Sequence, residues 1–124
     1  MSPPVLMCVS KEEREKAGYT SFRQWLENPQ NEFIGPNVRK YAPYHPHSQW
    51  TNPFYGYYQG EEANELYESF IRNNDILKKC LPALKDMVFG CWYTNGCHGE
   101  VLIKLYKQYV HENDESKMMF YLNK

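Results

Sequence analysis

The stretch Met87-Val88-Phe89-Gly90-Cys91-Trp92 constrains the fold more than any other part of this chain. It is too short for a helix and carries no polar residue. As a strand it is therefore apolar on both faces and belongs in the middle of a sheet covered on both sides. A second short apolar run, Val5-Leu6-Met7-Cys8-Val9, follows Pro3-Pro4 and reads as another buried strand. Between the two runs the pattern changes to helical. Ser10 to Lys16 is a polar helical stretch interrupted at Gly18, and Thr20 or Ser21 can cap a short helix carrying Phe22, Trp25 and Leu26 until Asn28-Pro29 stops it. Asn31 to Ile34 is extended, and Gly35-Pro36-Asn37 turns the chain out of it. After Gly60 a stripe of Leu66, Tyr67, Phe70 and Ile71 marks a core-facing helix, and Asp75 can cap a further one that Pro82 ends or kinks. Strands alternating with helices predict an α/β domain.

The run 87–92 leads into Thr94-Asn95-Gly96, which is turn chemistry, and then into a helix from Glu100 with Val101, Leu102, Leu105, Tyr106 and Tyr109 on one face. The order is strand, tight turn, helix, with Cys97-His98-Gly99 at the helix N-terminus. Residues 38–60, rich in proline and tyrosine, show neither a helical nor a strand period. An aromatic stretch of that length reads as an ordered functional loop.

The 124 residues fit one domain, 1–124, and 42% hydrophobic with 23% charged residues excludes a disordered chain. With 14 Lys+Arg against 15 Asp+Glu the net charge is −1, so no global field draws in a phosphate backbone and duplex nucleic acid is not an expected partner. No window approaches the ~20 apolar residues that span a bilayer, and MSPPVLMCVS has no basic n-region. A cytoplasmic protein with no membrane partner is expected, its four cysteines reduced.

A helix N-terminus presents unpaired N–H groups and a partial positive charge, and a glycine beside it lets a ligand approach the backbone. Cys97-His98-Gly99-Glu100 is thus a natural anion site. The same field lowers a thiol's pKa, which would make Cys97 a thiolate, with His98 moving a proton and Glu100 a general base. The competing reading is structural: a packed Cys97, a singly bonded His98 and a Glu100 that only complements the helix dipole. Cys91, Cys97 and His98 with His45 or His47 would supply four metal ligands, but the spacing fits no zinc ribbon or finger, so no metal and no cofactor is expected. Asn52 precedes Pro53 and projects from an extended backbone, either toward a ligand or as a turn starter.

Gly90-Cys91-Trp92 with Cys97-His98-Gly99-Glu100-Val101-Leu102 resembles the C-terminal signature of the family called domain of unknown function 4326, met in bacteria, phages, other large DNA viruses and fungi. There the pattern runs Gly-Cys-Trp-Cys, then Cys-His-Gly-Asp-Val-Leu. Phe33-Ile34-Gly35 resembles its Tyr-Ile-Gly turn, and Ser48-Gln49-Trp50-Thr51-Asn52-Pro53-Phe54 its Ser-Lys-Trp-Gly-Asn-Pro-Phe. The resemblance covers residues 33–107. Tyr93 stands where the family has a second Cys and Thr51 where it has Gly, which weakens a metal or redox role further.

By analogy of pattern, a small Rossmann-like domain is expected, three-layer or two-layer, with a short mostly parallel sheet that presents a ligand at its carboxyl edge. The expected partner is a small nucleotide-like or phosphorylated molecule, bound or processed in a cleft between residues 38–60 and 90–100. Cys97, His98 and Glu100 would act on it. Gly99 would let it approach, Asn52 would read its polar edges, and Trp50, Phe54 or Trp92 would stack on its ring. The alternative is a non-enzymatic protein-interaction module with an aromatic contact surface, a homodimer among its options, exposed tyrosines and a fully packed Cys97.

Overall fold

A computed structural model describes residues 2–36, 38–55, 57–58, 60–92 and 96–111. Its three strands, β1 (Val5–Cys8), β2 (Asn31–Phe33) and β3 (Val88–Cys91), form one parallel sheet in the order β1-β3-β2. The apolar run at 87–92 therefore supplies the central strand, with Cys8 opposite Cys91 on one side and Phe33 opposite Gly90 on the other.

The helices among the described residues are α1 (Lys11–Lys16), α2 (Phe22–Glu27), α3 (Val38–Tyr41), α4 (Gly60–Arg72), α5 (Asp75–Cys80) and α6 (Gly99–Tyr106). Ser21, not Thr20, caps α2, its hydroxyl accepting from the Gln24 N–H at 3.1 Å. Asn74 takes the capping place expected of Asp75: Asn74 keeps an extended backbone and its side chain accepts from the Leu77 N–H, while Asp75 is already helical. Pro82 falls in a 3-10 turn, Leu81–Leu84, that follows α5 directly. α3 is a correction to the aperiodic reading of 38–60. One helical turn suffices to bury Val38 and to bring Tyr41 onto Trp92, a contact too local to leave a period.

Strand alternation distributes the core to both faces of the sheet, giving three layers. Phe89 and Cys91 face α4, α5 and α6, in a core with Ile34, Trp50, Tyr67 and Leu102. Val88 faces α2, among Val9, Phe22, Trp25 and Phe33. Gly90 shares that second face because a Cβ there would sit 2.6 Å from Val9 Cγ1 and within contact of the Trp25 ring. Only a glycine at this position of β3 leaves room for the Trp25 ring. The Thr94-Asn95 turn and the apolar run at 118–122 lie outside the described residues. No helix among the described residues is long and apolar enough to cross a membrane.

Candidate functional site

All three strands run parallel, so their carboxyl ends share one edge, and the chain leaves β3 there through Trp92 and re-enters at Gly96 to begin α6. His98, at the start of α6, is fully buried. Its Nε2 lies 2.9 Å from the Trp50 carbonyl, which can only accept, so Nε2 carries the proton. Nδ1 lies 3.3 Å from the Tyr55 hydroxyl, and the Tyr67 ring packs edge-on at 4.8 Å. Burial pushes the imidazole down to about 4, against the Trp50 and Ile34 backbone contacts that pull it up.

Cys97 is also fully buried. Its sulfur accepts from the Gly99 N–H at 3.4 Å and lies 3.9 Å from His98 Nδ1. A hydrogen bond with the Cys91 thiol, followed by burial, drives the Cys97 thiol well above its ordinary range. This corrects the expectation of a thiolate. The helix-end field is outweighed by a second thiol across the turn and by the loss of water.

The N–H groups at the start of α6 have partners within the protein. The His98 N–H donates to Tyr55 Oη at 3.2 Å, that of Gly99 to Cys97, that of Glu100 to the Cys97 carbonyl at 3.1 Å, and that of Val101 to the His98 carbonyl at 3.0 Å. The donors counted on for an anion are therefore engaged internally. Gly99 likewise serves packing rather than ligand approach: a Cβ there would lie 2.7 Å from Leu6 Cδ1 and 3.1 Å from Ile34 Cδ1. Its lack of a side chain seats α6 on the sheet.

Cys97 and His98 share one buried assembly with the Trp50 carbonyl, Asn52 is buried with partners of its own, and protein groups satisfy all three. Asn52 Nδ2 donates to the Ala63 carbonyl at 3.2 Å, and its Oδ1 accepts from the Phe54 N–H at 2.9 Å. Trp50 is a core residue whose carbonyl receives both His98 Nε2 and the Tyr67 hydroxyl, the latter at 2.7 Å. Neither Asn52 nor the Trp50 ring faces outward: Asn52 ties its own segment to α4, and Trp50 lends its carbonyl to His98 and Tyr67. Phe54 packs on Tyr58 and Phe70 on the α4 side, beside an open groove of about 300 Å³ that includes Leu66 and Ser69. Trp92 belongs to the opposite face, among Phe22, Phe33 and Tyr41. The two rings cannot hold the same ligand. Glu100 is exposed on the first turn of α6.

The sequence reading missed the groups that tie this assembly together. Tyr55 bridges His98 and Asn64, while Asn64 Nδ2 donates to the Gly96 carbonyl at 2.7 Å, stitching α4 to the turn. Tyr67, read only as helix stripe, has its hydroxyl in the assembly, and burial raises its pKa well above the ordinary value. Glu32, on β2, is also raised by burial, opposed by a hydrogen bond with Ser48 and by the charge of His45. Among the described residues, no group of three or more His, Cys, Asp or Glu side chains is placed to hold a metal ion. The ligand set imagined from Cys91, Cys97, His98 and a loop histidine is not assembled.

Fold and site together define a small three-layer α/β domain whose parallel sheet ends against a buried Cys-His turn. The profile described as "Domain of unknown function (DUF4326)" matches residues 23–108, and the chain belongs to that family. It is also 39% identical to an uncharacterised protein of Acanthamoeba polyphaga mimivirus, over 50% of this chain and 55% of the viral protein. The chain thus spans about half the length of that relative. No solved structure matches the chain.

Proposed function

We propose that this protein binds a small nucleotide-like or phosphorylated ligand at the carboxyl edge of its sheet, over the turn between β3 and α6. One observation carries the reading: the buried side chains of Tyr67, Cys97 and His98, joined through the Trp50 carbonyl and the start of α6, lie next to the end of the central strand at the edge where all three parallel strands finish. Such clusters and such edges are where α/β domains place ligand chemistry. Cys97, His98 and Trp50 brace the start of α6, and Asn52 ties its own segment to α4. Trp92 offers the stacking surface, half-buried on one side of the edge, and Glu100 is the accessible carboxylate at the start of α6. A Rossmann-like mode of presentation belongs to the same reading.

Thermal unfolding against nucleotides, nucleotide sugars, cyclic dinucleotides and NAD-derived compounds tests it, with Trp92→Ala alongside. A ligand-dependent rise in unfolding temperature that Trp92→Ala abolishes supports the site. No rise with any compound moves the weight to a second reading. That reading has its own observation: Tyr44 and Tyr57 are 94% and 87% exposed, as a contact surface for a protein partner or a second copy would require. Molar mass from light scattering separates a self-associating chain from a monomer.

A further inference from the structure

With the α6 N–H groups engaged internally, the anionic end of a ligand at this edge needs another receptor. Arg14 on α1 reaches it. Its Nη1 donates to the Val9 carbonyl at 2.7 Å, immediately past the end of β1, and its guanidinium lies 5.8 Å from the centre of the Phe22 ring. Phe22 in turn packs 5.4 Å from Trp92, and the half-exposed Tyr41 packs 4.8 Å from Trp92. A fixed cation and an aromatic surface thus adjoin on the α2 side of the carboxyl edge.

Arg14 is held unlike an ordinary surface arginine. Its Nε is enclosed without an acceptor, an unmet bond that a shift of the guanidinium toward an arriving oxygen would complete. It also lacks a carboxylate: among the described residues the ion pairs use Lys16, Arg72, Lys78 and Lys104 as cations, never Arg14. A half-buried guanidinium with no counter-charge, pinned by one backbone carbonyl, keeps part of its donor fork for the oxygens of an anion.

Resting on the ligand-binding reading above, we infer that Arg14 receives the phosphate of a nucleoside phosphate whose base lies against Trp92 and Tyr41. A neutral nucleoside then gains only the stacking surface, while its 5′-phosphate gains the charge-assisted bond as well. Calorimetric titration with adenosine and guanosine, with their 5′-mono- and diphosphates, and with inorganic phosphate reads this directly. The titrations use the parent protein, Arg14→Met and Arg14→Lys. The parent should prefer a nucleotide to its nucleoside. Arg14→Met should weaken nucleotide binding by roughly tenfold to a hundredfold while leaving the nucleoside unchanged, and Arg14→Lys should restore part of the loss. If a nucleotide binds and Arg14→Met holds it as tightly as the parent, Arg14 is not the receptor although the site stands. Equal losses for nucleoside and nucleotide assign Arg14 a purely structural role and overturn the inference. If no probe binds the parent, the inference and the ligand-binding reading fall together.

Discussion

Acidification should unfold this protein partly through one side chain, His98. In the fold its imidazole is fully buried and titrates at about 4, while in the unfolded chain it returns to about 6.5. The folded form is thus poorer in protons between those two values. The resulting stability is complete above about pH 6.5, declines as the pH falls toward 4, and loses nothing further below it. At about 1.4 kcal/mol per pKa unit, the displacement corresponds to about 3 kcal/mol, a large part of the 5–15 kcal/mol typical of a domain. Other groups add their own pH dependence, Glu32 raised by burial and Glu68 lowered by its hydrogen bond with Lys104. The measurement is therefore a difference: urea unfolding of the parent and of His98→Gln at matched pH values from about 7 to 4. The parent should be the more stable at neutral pH, and its advantage should shrink by about 3 kcal/mol on the way down. An advantage that stays constant with pH would show that His98 titrates in the fold as it does in the unfolded chain, as a hydrated imidazole does, refuting the buried assembly around the Trp50 carbonyl.

Gly90→Ala and Gly99→Ala should differ in cost although both crowd the sheet. At Gly90 the obstacles are the Trp25 ring and the stiff Val9 side chain, for a loss of about 1–3 kcal/mol, whereas at Gly99 the nearest atoms are the movable tips of Leu6 and Ile34 and the loss is smaller. Urea midpoints of the two variants decide it, and equal losses would contradict the packing seen around β3. Tyr67→Phe removes a hydroxyl whose acceptor, the Trp50 carbonyl, keeps its bond from His98, so it should cost about 1 kcal/mol and leave the fold intact by circular dichroism.

Elements whose causes are local were legible in the sequence. β3 was legible because a run apolar on both faces has no stable place except a covered sheet, and α6 because Leu102, Leu105 and Tyr106 recur at helical spacing. The position of the Cys-His turn between them followed from the order alone. Its chemistry did not, because the Cys97 thiol is set by Cys91 and by burial, and His98 by a carbonyl 48 residues away. The same limit hid Tyr55 and Asn64, whose partners lie far off in sequence. Arg14 sits in a stretch of alternating charges that reads as a solvated helix face, yet its side chain folds back onto Val9.

The site has two tiers with different physical roles, and that division changes which substitutions are informative. In the inner tier, Cys97 and His98 are enclosed, hydrogen-bonded and uncharged at neutral pH, so removing either withdraws a partner from a buried network and lowers stability before it touches any ligand. In the outer tier, Trp92, Tyr41, Arg14 and Glu100 all retain some solvent exposure, and their substitution can change recognition while the turn beneath stays built. Proton transfer from the inner tier would require the turn to open, since neither the thiol nor the imidazole reaches solvent as folded. A cysteine reagent reports that opening: in a Cys8→Ala, Cys80→Ala background the thiols left are Cys91 and Cys97, and labelling of Cys97, told from Cys91 by peptide mass mapping, should be slow and should accelerate on acidification together with the loss of His98 stabilisation. Fast labelling at neutral pH would instead place Cys97 in the outer tier, as a group that meets the ligand.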